Sequence, residues 1–118
     1  MIKDPKIFAD AYQLSLTTFH RTKNFPKALR PTLGRRLEEA SLDLTRDIRV
    51  GMLKPAKQSG ERLPYIENAS AHLDEIRIML SLARDLQVIS IPAYEELSML
   101  TRDIGKAIGG VLKYAQQT

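Results

Sequence analysis

The sequence predicts an all-α protein, an antiparallel up-down bundle of four amphipathic helices. Three observations carry that expectation. Apolar residues recur at three- and four-residue spacing in four separate stretches, the period of one helix face. Proline and turn-forming residues punctuate the chain between those stretches. No segment alternates with the period of a strand, and none repeats at a solenoid period.

The first helix is expected over about residues 5–23. Asp4 is a good N-cap, and Pro5 suits the first helical position because its missing N–H has no intrahelical partner there. Ile7, Phe8, Ala11, Tyr12, Leu14 and Phe19 supply the apolar face. The second helix is expected over about 27–54, with Pro31 either kinking its first turns or delaying regular helix to that point. Its stripe is Leu33, Leu37, Ala40, Leu44, Ile48 and Met52, opposite Arg35, Glu39, Asp43, Arg46 and Arg49.

Residues 55–61 read as a flexible loop. The third helix follows over about 62–87 with Pro64 in its first turn, and its stripe is Ile66, Ala69, Leu73, Ile76, Leu80, Ala83 and Leu86, close to a heptad seam. Ser90-Ile91-Pro92 caps a fourth helix over about 91–114, where Glu95 and Glu96 complement the helix dipole. Tyr94, Leu97, Leu100, Ile104, Ile108, Val111 and Leu112 form its stripe.

Some residues fit this scheme less simply. Leu42, Val50, Ile78, Met79 and Leu82 lie beside the main stripes, and extra bundle core is favoured for them over a subunit interface. Gly105 and Gly109 share a helix face, where close helix approach could offset the cost of glycine. The alternative is a helix that frays at Gly109-Gly110.

A length of 118 residues suits one domain, 1–118. Hydrophobic residues make up 43% and charged residues 27%, an ordinary globular balance. The absence of cysteine excludes disulfides and thiolate metal sites. The opening residues lack the apolar run of a secretory signal, and no stretch approaches a membrane span, so a cytoplasmic protein without membrane contact is expected.

Charge is unevenly spread. Residues 1–36 hold eight cations (Lys3, Lys6, Arg21, Lys23, Lys27, Arg30, Arg35, Arg36) against Asp4 and Asp10, an excess of six. Residues 37–118 hold ten cations against twelve carboxylates. No carboxylate interrupts the run from Arg21 to Arg36. Such clustering attracts phosphate or an acidic partner, and the planar arginine fork suits phosphate especially. Arg21, Lys23, Lys27, Arg30, Arg35 and Arg36 are therefore the first candidates for contact with nucleic acid or a protein partner. Arg84, Lys106 and Lys113 on later helices are candidates to extend that surface. Phe19 and Phe25 accompany the cluster and could stack on bases, although core packing is the simpler expectation for both.

Catalytic groups are scarce. His20 and His72 are the only neutral-pH bases, and both are expected to be structural or surface residues. No nucleophile elbow, Walker motif or phosphate-binding glycine loop is present. Ala69 precedes His72 by three residues and Thr17 precedes His20 by three, so the Glu-x-x-His pairs of a di-iron bundle are missing. Asp43 and Asp47 share a helix face and are expected to be solvated. No catalytic residue, metal or cofactor is assigned.

Several short motifs resemble a bacterial four-helix-bundle family. Phe25-Pro26-Lys27, Leu33-Gly34 and Arg36-Leu37 resemble the entry to that family's second helix. Leu73-Asp74-Glu75-Ile76-Arg77 and Leu82-Ala83-Arg84-Asp85-Leu86 resemble its third helix. Ser90, Tyr94-Glu95 and Leu97-Ser98 follow in order. Asp103-Ile104-Gly105-Lys106, with Ile108-Gly109-Gly110-Val111-Leu112-Lys113, resembles its close. The family comprises the accessory variability determinant (Avd) proteins of diversity-generating retroelements and the proteins encoded in intervening sequences of bacterial 23S ribosomal RNA.

The resemblance covers nearly all of residues 12–113. It implies a four-helix bundle assembled into a homo-oligomeric ring, a pentamer, with a positive surface. For the Avd branch it implies binding to the reverse transcriptase and to template RNA or DNA, in support of mutagenic copying by another protein's active site. Pro31 and Val111 depart from the family pattern, the latter where tryptophan is usual, while Asp103 and Lys106 are conservative replacements. These departures bear on which branch the chain resembles more. The basic cluster favours the nucleic-acid-binding branch. The alternatives are a ribosomal-RNA intervening-sequence protein of undefined role and a scaffold that binds only protein.

Overall fold

The periodic stretches form four helices: α1 (Lys6–Thr22), α2 (Arg35–Leu53), α3 (Ser59–Asp85) and α4 (Ile91–Gln117). The computed structural model describes residues 4–117, so Lys3 of the basic run lies outside the described residues. There is no strand among the described residues. Each helix packs against the next in sequence, and α4 packs back against α1, giving a four-sided bundle 46 × 30 × 23 Å across.

Side-chain bonds show that neighbouring helices run antiparallel. Asp4, ahead of α1, meets Arg49 near the end of α2, while Thr22 at the end of α1 meets Glu38 near the start of α2. The same logic links Gly51 with Ile66, Arg84 with Tyr94, and Arg21 with Glu96. Among the described residues no helix is long and apolar enough to cross a membrane.

The core is the set of stripes read from the sequence. Leu14, Leu37, Leu44, Ile48, Ile66, Leu73, Ile76, Leu80, Leu97 and Ile104 are all buried. Each such side chain contributes about 1.5–3 kcal/mol on leaving water. The stripes are trimmed at their margins: Tyr12, Phe19 and Leu86 are exposed. Leu42, Ile78 and Leu82 are exposed too, so extra core is the wrong account of them, whereas Met79 is buried and Val50 half-buried.

A polar seam joins α1 to α2. Ser15 Oγ donates to the Ser41 carbonyl at 3.0 Å and lies 2.8 Å from Thr45 Oγ1. Thr45 Oγ1 in turn lies 2.8 Å from the Ser41 carbonyl and 3.0 Å from the Ala11 carbonyl. These hydroxyls have partners, so their burial carries no unpaired-polar penalty.

Helix ends depart from expectation for identifiable reasons. Asp4 does not cap α1. Pro5 occupies the N-cap position without a side-chain cap, and Asp4 is drawn to Arg49 at 2.9 Å. The second helix is not regular from residue 27. A 3₁₀ turn (Lys27–Leu29) leads into a π-helical turn (Arg30–Gly34), and α-helix begins at Arg35. Pro31 has no N–H to donate and its ring crowds the preceding turn. The wider turn accommodates it, with the Arg35 N–H bonding back to the Arg30 carbonyl.

The loop expected at 55–61 is largely helical. A 3₁₀ turn covers Ala56–Gln58 and α3 starts at Ser59, which places Pro64 inside the helix. Arg62 Nε donates to the Lys54 carbonyl at 2.9 Å and closes this corner, a tertiary bond that local turn propensity does not register. At the other end of α3, Gln87 takes a left-handed φ of 58°, and the Val88 N–H bonds to the Ala83 carbonyl. This is the helix stop that glycine usually provides.

Ser90 Oγ accepts from the Ala93 N–H at 3.2 Å, as its capping role requires. Helix α4 runs on through Gly109 and Gly110, so the alternative of fraying there does not occur, and a Cβ at either position would meet nothing within 4 Å, so no helix approaches closely at Gly109 either. Gly105 is different, and what approaches it is a side chain. The Arg77 guanidinium lies over it and donates to the Thr101 carbonyl at 3.3 Å.

These surroundings make two glycines behave oppositely. Gly109→Ala removes a helix-interior glycine with no steric consequence and should stabilise the fold by about 0.5–1 kcal/mol. At Gly51 a new Cβ would meet buried Ile66 Cδ1 at 3.0 Å and Tyr65 Cβ at 3.1 Å. Overpacking there outweighs the propensity gain, and Gly51→Ala should lose about 1 kcal/mol. Urea unfolding of the two variants checks both signs.

Candidate nucleic-acid interface

One end of the bundle collects the end of α1, the connector, the start of α2, the end of α3 and the start of α4. The sequence run from Arg21 to Arg36 therefore folds onto that end, and Arg84 joins it from α3. Lys106 and Lys113 do not. They lie on the second half of α4, which runs toward the opposite end.

The cations at the basic end differ in how they are held. Arg21 reaches Glu96 Oε1 through Nη2 at 2.9 Å and Nε at 3.2 Å, which ties α1 to α4. Arg35 lies 3.5 Å from Glu39, and Arg36 lies 3.4 Å from Glu75 of α3. Arg84 donates to Asp85 at 3.0 Å and to Tyr94 Oη at 2.9 Å, with its guanidinium 5.0 Å from the Tyr94 ring centroid. The hydrogen bond to Asp85, then the attraction of its charge, raises the Arg84 pKa, so this cation stays charged throughout the working range. Arg30 Nε donates to the Phe25 carbonyl at 3.0 Å.

Lys23 and Lys27 are exposed and have no ion-pair partner among the described residues. Sequence alone gave no means of separating these free lysines from Arg21 and Arg36, because the carboxylates that pair with those two, Glu96 and Glu75, come from distant positions. Exposed ion pairs contribute at most about 1 kcal/mol. A phosphate can therefore replace a carboxylate on Arg21 or Arg36 at small cost.

The two aromatic residues of the run separate as well. Phe25 is 1% exposed and packs into the core beneath the connector, close to Gly34. Phe19 is 38% exposed, so core packing does not account for it. A cleft of about 320 Å³ opens at this end, lined by Arg21, Asn24, Gln87, Val88, Ile89, Ser90 and Ala93.

Of the two carboxylates expected to be solvated, Asp43 is half-exposed and Asp47 was misplaced. Asp47 is buried, not solvated. Its Oδ2 lies 3.2 Å from His72 Nε2 without a well-formed hydrogen bond, and its Oδ1 lies 3.5 Å from Arg46. The detectable signal was position: Asp47 follows Leu44 by three residues and so falls on the core stripe. The buried hydroxyls of Ser15, Ser41 and Thr101 are directed at backbone carbonyls. His20 is exposed near the end of α1. Among the described residues no three or more His, Asp or Glu gather in the way a metal site requires.

Fold and surface together define a small helical bundle with one basic end. Neither the models of known protein families nor the curated protein sequences compared with this chain match it.

The different anchoring of these cations has a measurable consequence. Lys23→Ala with Lys27→Ala should leave the melting temperature unchanged. Arg30→Ala removes the bond that holds the connector to Phe25 and should cost about 1 kcal/mol. Thermal unfolding of the two variants distinguishes solvated lysines from a structural arginine.

Proposed function

We propose that this protein is a non-catalytic accessory protein of the kind that serves diversity-generating retroelements. In this reading it works in the cytoplasm as a homo-oligomeric ring, a pentamer. It binds the reverse transcriptase and the template RNA or DNA through its basic surface and supports mutagenic copying without doing the chemistry.

The observation that carries this reading is the basic end, where Arg21, Lys23, Lys27, Arg30, Arg35, Arg36 and Arg84 come from separate segments to one region. Two free lysines and several loosely paired arginines suit a sugar–phosphate backbone, which is recognised by charge with little base specificity. The motif resemblance supplies the particular partners. Lys106 and Lys113 lie apart from this end and drop out of the first contact set.

The test is RNA binding by fluorescence anisotropy across a salt series. Wild-type affinity should fall steeply with salt. Lys23→Glu with Lys27→Glu should weaken binding about tenfold or more at low salt and lower the log–log slope by roughly 1.5, two single-strand phosphate contacts. Equal affinity and slope in the two proteins would remove this cluster from the proposal.

A protein-only scaffold is the second reading. The pairs Arg21–Glu96, Arg36–Glu75 and Arg84–Asp85 favour it, because they neutralise part of the basic end. A wild-type protein that ignores RNA at low salt but co-purifies with the reverse transcriptase would select it.

A further inference from the structure

The α3–α4 side of the bundle carries two adjoining clefts. The first, of about 370 Å³, lies between the two helices. Arg77 and Ser81 line it from α3, and Tyr94, Ser98, Thr101 and Arg102 line it from α4. The second, of about 380 Å³, opens on α4 and shares Tyr94, Ser98 and Arg102 with the first. These three residues are spaced four apart, so they form one row along α4. Met99, 55% exposed, and Glu95 complete the second cleft.

The first cleft gathers hydrogen-bond donors, and no carboxylate lines it. Arg77 Nη2 donates to the Thr101 carbonyl at 3.3 Å, which holds this guanidinium against the turn of α4 that carries Arg102. Arg77 Nη1 also lies 3.2 Å from Asp74, but that exposed carboxylate lines the α2–α3 groove and not this cleft. Arg102 is exposed, and Ser81 and Ser98 are half-buried. Neither the Arg102 guanidinium nor the hydroxyls of Ser81 and Ser98 have a partner among the described residues. Carboxylates on neighbouring turns of α4 are engaged elsewhere: Glu96 pairs with Arg21, and Asp103 acts on Lys6 of α1. Two guanidinium groups that line one cleft repel each other, and a bound dianion removes that repulsion.

We propose that the cleft between α3 and α4 binds a phosphate monoester of the mononucleotide class. A monoester carries about two negative charges at neutral pH and three strong acceptor oxygens. Arg77 and Arg102 match the charge, and the hydroxyls of Ser81 and Ser98 supply further donors. A phosphodiester inside a nucleic-acid chain carries only one charge and matches less well. The arginine fork bonds phosphate through parallel N–H groups. The second cleft, beside Tyr94 and Met99, receives the organic part of the ester. Arg84 of the basic end touches the Tyr94 hydroxyl, so the two regions adjoin, but Lys23 and Lys27 take no part here. The assignment therefore stands apart from the nucleic-acid reading of that end.

Calorimetric titration and amide NMR at low salt test it, with inorganic phosphate, AMP, adenosine and dimethyl phosphate as probes. Phosphate and AMP should bind saturably with a Kd of about 1 mM or below, and should shift the amides of Ser81, Ser98 and Arg102. Adenosine and dimethyl phosphate should bind about tenfold more weakly or worse. Arg102→Gln should weaken AMP binding about tenfold at an unchanged melting temperature, and Ser98→Ala about threefold. Arg77→Gln, confirmed as folded by circular dichroism, is the second arginine variant. Lys23→Glu with Lys27→Glu should keep its AMP affinity. No saturable binding of phosphate or AMP, or equal affinity in wild type and both arginine variants, would overturn the site. Dimethyl phosphate binding as tightly as phosphate would overturn the monoester assignment. Displacement of AMP by a 5′-phosphorylated oligoribonucleotide, but not by its 5′-hydroxyl form, would make an RNA terminus the source of the phosphate. Displacement by neither would make it a free nucleotide, and displacement by both would again contradict the monoester.

Discussion

Leu14, Leu44, Ile76 and Ile104, one from each helix, are fully buried, and their burial constrains the rest of the molecule. A bundle only four helices wide has no second layer in which to place polar groups. Hydroxyls that face inward must find backbone carbonyls, as Ser15, Thr45 and Thr101 do. Charged groups are displaced to the sides and ends. Asp47 is the exception, held at the α2–α3 boundary with His72 as its facing group. Concentration of the cations at one end follows partly from this geometry, since the connector that holds Lys23, Lys27 and Arg30 is pinned there by the burial of Phe25.

Much of the architecture was legible in the sequence because it depends on periodicity. The stripes through Leu37–Leu44–Ile48 and Ile66–Leu73–Leu80 are regular enough to locate helices and their inner faces. Helix ends were less legible because their causes are tertiary or unusual. Arg62 reaching Lys54 turns a loop-like Ser-Gly segment into helix, Gln87 performs a stop that glycine normally signals, and Pro31 is absorbed by a π turn. At the basic end the cluster was visible as composition. The division into free lysines and paired arginines was not, because Glu75 and Glu96 lie far along the chain. Leu42, Ile78 and Leu82 have the hydrophobicity of core residues, and only the packed bundle reveals that they face outward.

Lys23, Lys27, Arg30 and Arg84 lie at one end of the bundle, away from Lys106 and Lys113. In the proposed homo-oligomer the basic end of one copy is repeated in every other copy. A polyanion touching several copies at once gains from their high effective concentration. Modest affinity per copy, with no base-specific groove, would then suffice to hold a long RNA template next to a polymerase.

The central claim is that nucleic acid meets the protein at this one end, and lysine-modification footprinting addresses it most directly. The protein is labelled with an amine-reactive reagent with and without single-stranded RNA, and the reactivity of each lysine is read by mass spectrometry. Protection of Lys23 and Lys27, with Lys106 and Lys113 unchanged, is the predicted result. Protection confined to Lys106 and Lys113, or equal reactivity of all four lysines at saturating RNA, would contradict the account.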